Sequence, residues 1–257
     1  MQDRPTRPEP PRQATIEELK LAAPLAFWPD KALCRLAPVT TVRWHEAGEV
    51  LARAWEPATA MWVVMKGCLE LTRTSASGRR YLSDILAPYS VAGITPALDG
   101  RDTLFDTRVR VASQVMAIPC RELSAEIEAD ARLGMATIKL ISLRQRLEHD
   151  RAVMNCVDPV KVRVAKAVLY LGRSPGLLEG SAATLPMPVT YEDIADFLGL
   201  SQSAVTREIR ELIAAGALAK QYRAVVIASI QRLTEIARAP APFNKTAQEF
   251  LSRLPRG

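Results

Sequence analysis

The sequence predicts an α+β chain: an N-terminal all-β barrel or sandwich, one long helix and a C-terminal winged helix-turn-helix. Three observations predict it. From Val39 to Ile118, short β-branched and apolar runs alternate with turn residues every 8 to 12 positions or so. From Arg121 to Val157 the apolar spacing becomes helical, and beyond Val189 two short helical patterns meet at Gly199.

The 257 residues leave room for two cores, and with 48% hydrophobic and 24% charged residues the chain reads as globular. No apolar run reaches the roughly 18 residues needed to span a bilayer. Residues 1–20 are charged and proline-rich without an apolar h-region, so they do not read as a secretory signal. Residues 1–24 are expected to be a leader, disordered or partly helical, and the protein to be cytoplasmic. Thr15 can cap a helical stretch over residues 14–23, with Glu17 and Glu18 in its first turn.

Net charge is +6 and unevenly placed: residues 160–257 hold 13 Lys/Arg against 8 Asp/Glu, a surplus of five. A basic C-terminal part on a nearly neutral N-terminal part suits a polyanionic partner; an unevenly charged solvated surface is the plain alternative. Cys34, Cys68, Cys120 and Cys156 lie far apart, and the only histidines are His45 and His149. No CxxC pair is present, so neither a structural zinc site nor an iron–sulfur cluster is expected, and the thiols read as scattered and buried. No nucleophile–base constellation, glycine-rich phosphate loop or metal-ligand set appears, so the chain is not expected to be an enzyme.

The strand candidates are residues 40–44, 50–54, 61–64, 68–72, 81–86, 107–111 and 115–118, with a hairpin loop at Ser75-Ala76-Ser77-Gly78. In the long helix Leu133, Leu140, Leu147 and Met154 recur every seven residues, with Ala136, Leu143, Asp150 and Val157 three after each. That a/d pattern resembles a coiled-coil seam, weakened at Asp150, and it makes Leu133, Ala136, Leu140, Leu143 and Leu147 the candidate dimer interface. A long helix packed only on its own β domain is the alternative. Pro159 then ends the helix. A further amphipathic helix spans residues 160–171, and residues 172–188 read as a loop or short hairpin. Beyond Gln231 the chain is helical in character until Pro240-Ala241-Pro242.

The segment from Val189 carries the chemistry. Thr190 can cap a helix, with Asp193 three residues on. Ile194, Phe197 and Leu198 form its apolar face, Ala195 permits a close crossing, and Gly199 suits a positive-φ turn. Ser201 caps the next helix, where Val205, Ile209 and Leu212 point inward and Gly216 ends the run. Gln202, Ser203, Thr206, Arg207 and Arg210 then face outward, able to bond base edges or phosphates, with Arg207 able to grip a guanine through two bonds. Two short apolar runs flank Lys220-Gln221-Tyr222-Arg223, a hairpin whose basic tip suits phosphate contacts. An ordinary helical hairpin that binds nothing lacks this set of features at matching offsets.

From Leu25 to Ile230 the sequence resembles the Crp/Fnr superfamily of bacterial transcription regulators. The resemblance is most specific from Ser201 to Leu212, followed by Gly216-Ala217-Leu218; Gly48 and Trp62-Val63-Val64-Met65-Lys66-Gly67 match less specifically. It implies an N-terminal double-stranded β-helix, or β-roll, of the cyclic-nucleotide-binding type (25–120), a dimerisation helix (121–158), a winged helix-turn-helix (159–235) and a tail (236–257). It places Gln202, Ser203 and Arg207 at base-reading positions and Thr190, Ser201 and Thr206 near phosphates. Gln202 and Ser203 replace the Arg and Glu of cyclic-AMP-responsive members, which points to a different operator. Where those members hold ribose and cyclic phosphate with Gly-Glu and Arg-Ser pairs, this chain has Ala92-Gly93-Ile94-Thr95 and Phe105-Asp106-Thr107-Arg108. Isoleucine cannot accept a ribose hydroxyl, so cyclic AMP is not the expected ligand; Arg108 or Arg110 is left to meet an anion or to be solvated. The cysteine cluster of oxygen-sensing members is absent, and haem ligation through His45 or a cysteine is the weaker of the readings for those residues. The effector is left unknown. The expected partners are double-stranded DNA, a second copy of the chain and RNA polymerase, with no membrane. A ligand-binding module acting through protein partners is the alternative function.

Overall fold

The computed structural model describes residues 10–22, 25, 28–172, 183–184, 189–221 and 224–238. Their packing separates two units, the first taking residues 10–73 and 85–141, the second 74–84 and 142–238.

In the first unit β1 (Arg12–Gln13) pairs with β2 (Thr41–His45), and between them lie α1 (Ile16–Leu21) and α2 (Asp30–Leu36). Thr15 and Glu18 form a reciprocal capping box on α1. Ala14, Leu19, Leu33 and Leu36 enter the same buried cluster as Met61, Met116 and Ile118. Within the expected disordered or partly helical leader, residues 16–21 are helical, and Ala14, Leu19 and Ala22 are buried in that cluster. These few apolar side chains anchor the segment.

The sheet continues through β3 (Val50–Ala52), β4 (Ala60–Thr74), β5 (Arg80–Leu86), β6 (Val91–Ala92) and β7 (Asp106–Pro119). Its order is β1-β2-β7-β4-β5, with β3 on β7 and β6 on β4. Four of the expected strands prove to be two long ones. Gly67, between two of the expected runs, is a bulge: its φ is +83° and the β4–β7 register shifts on both sides of it. A Cβ there would lie 2.7 Å from the Ala112 carbonyl oxygen, so the two backbones meet as closely as glycine permits.

A short helix, α3 (Ile94–Asp99), follows β6. The single helix expected over 121–157 is two, α4 (Cys120–Ala129) and α5 (Ala131–Val157). Asp130 sits between them with extended φ and ψ, and its carboxylate accepts the Arg132 N–H at 2.9 Å, capping α5.

The helices of the second unit are the last of α5, then α6 (Val160–Leu171), α7 (Tyr191–Leu198), α8 (Gln202–Ala214) and α9 (Ile230–Ile236). The sheet β8-β10-β9 is formed by β8 (Ala183–Thr184), β9 (Leu218–Gln221) and β10 (Ala224–Ile227). α6 packs on α7, α8 and α9, and its Val164, Ala165 and Val168 are fully buried. The loop expected over 172–188 lies outside the described residues except for Gly172 and β8, as does the Pro240-Ala241-Pro242 break. Among the described residues no helix is long and apolar enough to cross a membrane.

Candidate nucleic-acid interface

Thr190 caps α7: its hydroxyl accepts the Asp193 N–H at 3.1 Å, and the Asp193 carboxylate accepts the Thr190 N–H at 2.8 Å. Such a cap contributes about 1 kcal/mol to the helix it starts. Ile194, Phe197 and Leu198 are buried, and Gly199 ends the helix at φ +64°, a left-handed turn that other residues adopt only with strain. Ser201 then caps α8 by accepting the Ala204 N–H at 3.3 Å. Val205, Ile209 and Leu212 are sealed beneath α8, which fixes what the opposite face presents.

On that face Gln202, Ser203, Arg207 and Arg210 are exposed. Arg207 holds Glu208 through Nε at 2.9 Å, which leaves both terminal nitrogens of its fork for a ligand. Ser201 and Ser203 share a hydroxyl contact at 3.1 Å. Thr206 is different. Its hydroxyl donates to the Gln202 carbonyl at 2.8 Å, so its single proton is committed within the helix. Thr190 likewise donates its hydroxyl proton to Asp193 at 2.8 Å. Phosphate oxygens only accept, so both threonines would have to release these bonds to donate to one. In the wing, Lys220 on β9 is exposed, while Arg223 and Tyr222 lie outside the described residues.

Four guanidinium groups surround α7, a feature the sequence did not reveal. Arg163 donates to the Leu198 carbonyl at 3.1 Å and Arg79 to the Gly199 carbonyl at 3.4 Å, satisfying the negative end of the helix. Arg80 bonds Asp196 at 2.7 Å and lies 3.7 Å from Asp193. Arg151, buried on α5, places its guanidinium carbon 4.5 Å from the Phe197 ring centre and 5.2 Å from that of Tyr81. It also donates to the Ser83 carbonyl at 2.9 Å.

The expected dimer seam is divided. Leu133 and Leu140 are buried in the core of the first unit, with Ala136 packed against it. Leu143 and Leu147 are half-buried. The heptad stripe at its N-terminal end thus marks the face α5 turns toward its own chain. The apolar side chains α5 exposes are others: Met135 (53%), Ile138 (57%), Val153 (61%) and Val157 (70%). At 3.6 residues per turn these four fall within about 100° of arc, on the side of the helix away from Leu133 and Leu140.

In the first unit Ile94 begins α3 and is fully buried. Arg108 donates to the Gly48 carbonyl at 3.1 Å, and Arg110 pairs with Glu70 at 3.2 Å. His45 is buried, with Nδ1 2.8 Å from Glu49 and its ring edge-on to Trp62. Of the thiols expected to be buried, Cys68 is, Cys120 is half-buried with its pKa pushed up by that burial, and Cys34 and Cys156 are exposed.

Capped α7, left-handed turn, capped α8 and a hairpin beyond it define a DNA-binding transcription regulator of the winged helix-turn-helix class. Two family models match the chain in tandem: a cyclic nucleotide-binding domain over residues 42–130 and a Crp-like helix-turn-helix domain over residues 162–236. The CRP-like cAMP-activated global transcriptional regulator of Mycobacterium tuberculosis is 24% identical over 211 residues, covering 79% of this chain and 89% of the relative. The nitrogen fixation regulation protein FixK of Bradyrhizobium diazoefficiens is 25% identical over 194 residues, covering 75% and 80%. Among solved structures, FixK2 from Bradyrhizobium japonicum superposes with a TM-score of 0.68 at 22% identity, covering 78% of this chain and 98% of that one. The c-di-GMP responsive regulator CLP of Xanthomonas campestris gives 0.63 at 17% identity, covering 77% and 99%. The chain belongs to the Crp/Fnr superfamily of transcription regulators.

Proposed function

We propose that this regulator binds a near-palindromic operator as a homodimer, with α8 of each copy in successive major-groove half-sites. The outward face of α8 carries the reading. Gln202, Ser203 and Arg207 stand exposed on a helix that Val205, Ile209 and Leu212 hold in place. In this assignment these three contact base edges. Ser201, Arg210, Lys220 and Arg223 contact phosphates, and Thr190 and Thr206 join them only by releasing their internal bonds. The second copy meets the exposed face of Met135, Ile138, Val153 and Val157, an apolar strip that a lone chain leaves in water. RNA polymerase is the further partner through which such a regulator acts, from the cytoplasm.

Cyclic AMP is not the effector in this reading. Ile94 lies in the core where a ribose acceptor is wanted, and Arg108 and Arg110 are engaged by Gly48 and Glu70. The test is operator binding across a salt series, using duplexes that the chain itself retains from a random-sequence pool. With 6–10 phosphates neutralised, affinity should fall by about 10³–10⁵ between 50 and 200 mM salt, and cyclic AMP should leave the curve unmoved. A salt-independent affinity contradicts phosphate-anchored binding, and tightening by cyclic AMP contradicts the reading of the sensor.

A further inference from the structure

Residues 74–84, the hairpin that takes in the end of β4, the turn and most of β5, pack in the second unit with the DNA reader. Its tip is well formed: the Ser75 N–H reaches the Arg79 carbonyl at 2.9 Å and the Gly78 N–H reaches the Ser75 carbonyl at 2.9 Å. Two consecutive arginines leave it for α7. Arg79 reaches the carbonyl of Gly199, the residue that turns the chain into α8, and Arg80 reaches Asp196 and Asp193. Behind them Arg151 is layered between Tyr81 of the hairpin and Phe197 of α7.

We propose that Arg80 is a positioning residue for operator binding: through Asp196 and Asp193 it fixes α7, and through the Gly199 turn it fixes the angle at which α8 meets the groove. This rests on the DNA reading above. An exposed ion pair would contribute little. Here the Asp193 side chain is 6% exposed and that of Asp196 20%, so both carboxylates are largely withdrawn from water. Asp193 is also half of the capping box that starts α7, so the same carboxylate sets the start of the helix and takes the hairpin's charge. None of these contacts covers Gln202, Ser203 or Arg207, all of which stay exposed. The hairpin thus braces the reader and leaves its reading face open.

The pair makes a prediction opposite to simple electrostatics. Removing an acid from a DNA-binding unit normally strengthens binding to a polyanion. If Asp196 acts by holding Arg80, then Asp196→Asn weakens binding instead. The experiment compares the wild-type chain with Arg80→Met, Asp196→Asn, the double variant and Arg80→Lys, on a duplex selected by the wild type, across a salt series and below each variant's melting temperature. Both single variants should weaken binding roughly tenfold, the usual size of a coupling between sites. The double should weaken it no further, the slope against salt should stay unchanged, and Arg80→Lys should recover part of the loss. Unweakened binding by Asp196→Asn overturns the proposal. So does a salt slope lowered by about one phosphate in Arg80→Met alone, since Arg80 would then touch DNA directly. An Arg80→Lys chain as weak as Arg80→Met also overturns it, since the charge would then not be the cause. A wild-type chain that retains no duplex at all fails the DNA reading itself, whereas a binding wild type with unweakened variants fails only the brace.

Discussion

Ile138→Asp is expected to convert the protein to a monomer at micromolar concentration and to weaken operator binding at least a hundredfold. Ile138 is 57% exposed in the single chain, so the substitution removes little intramolecular packing and should leave the fold intact. In the proposed homodimer its effect comes from the partner. A charge placed in an apolar helix seam is left buried and unpaired, and the dimer gives way. Two linked readers search for their half-sites at an effective concentration near millimolar, which yields roughly 10²–10⁴ in avidity that separate monomers lose. Leu140→Asp gives the complementary result. Leu140 is buried in the core of the first unit, so this change should lower the melting temperature of the chain before it affects assembly. Sedimentation velocity separates the two outcomes. A dimeric Ile138→Asp alongside a well-folded, monomeric Leu140→Asp would return the interface to the heptad stripe.

Phe197→Ala should destabilise the DNA-binding unit by about 3–5 kcal/mol, the range for a buried aromatic truncated to alanine. The ring is 1% exposed, packs on Tyr170 with centres 5.1 Å apart, and carries the Arg151 guanidinium on its face. Truncation opens a cavity and deprives the buried Arg151 of an aromatic partner. Set against a total stability of about 5–15 kcal/mol for a domain, that loss is large. Thermal unfolding should fall by more than about 10 °C, with hydrogen exchange quickening first in α7 and α8. A fall under about 4 °C would show that the ring is not what holds the two helices together.

Much of the reader was legible because it is built from local chemistry. Thr190 with Asp193, Gly199, and Ser201 with Val205, Ile209 and Leu212 all act within a few residues of themselves, and each keeps the part the sequence assigned it. The β-roll was legible as texture but not as strand count. A glycine that ends a strand and one that bulges it look alike, and only the Ala112–Ser113 backbone facing Gly67 distinguishes them. α2 and α3 were missed for their length: in the first, Ala32, Leu33 and Leu36 give barely one apolar turn.

The long helix was harder to read for a different reason. α5 is apolar on two sides, and a heptad count does not say which side faces the chain's own core. Leu133 and Leu140 formed the stronger stripe because the core selects for large aliphatics. The brace on α7 was illegible altogether. Arg80 and Asp196 are 116 residues apart, and Arg151 and Ser83 are 68 apart. Nothing near Arg80 or Arg151 in sequence distinguishes them from solvated arginines. Their role comes from tertiary placement alone.

The claim that the outward face of α8 reads DNA sequence is tested most directly by selecting duplexes from one random-sequence pool with the wild type and with Arg207→Ala. The wild type should enrich a near-palindrome whose half-sites are about 34 Å apart, centre to centre, with guanine fixed at one position in each. Arg207→Ala should lose the preference at that position, keep the rest of the motif, and bind the wild-type site about 1–3 kcal/mol more weakly. An unchanged motif, guanine included, would contradict the assignment of Arg207 and with it the reading of this face.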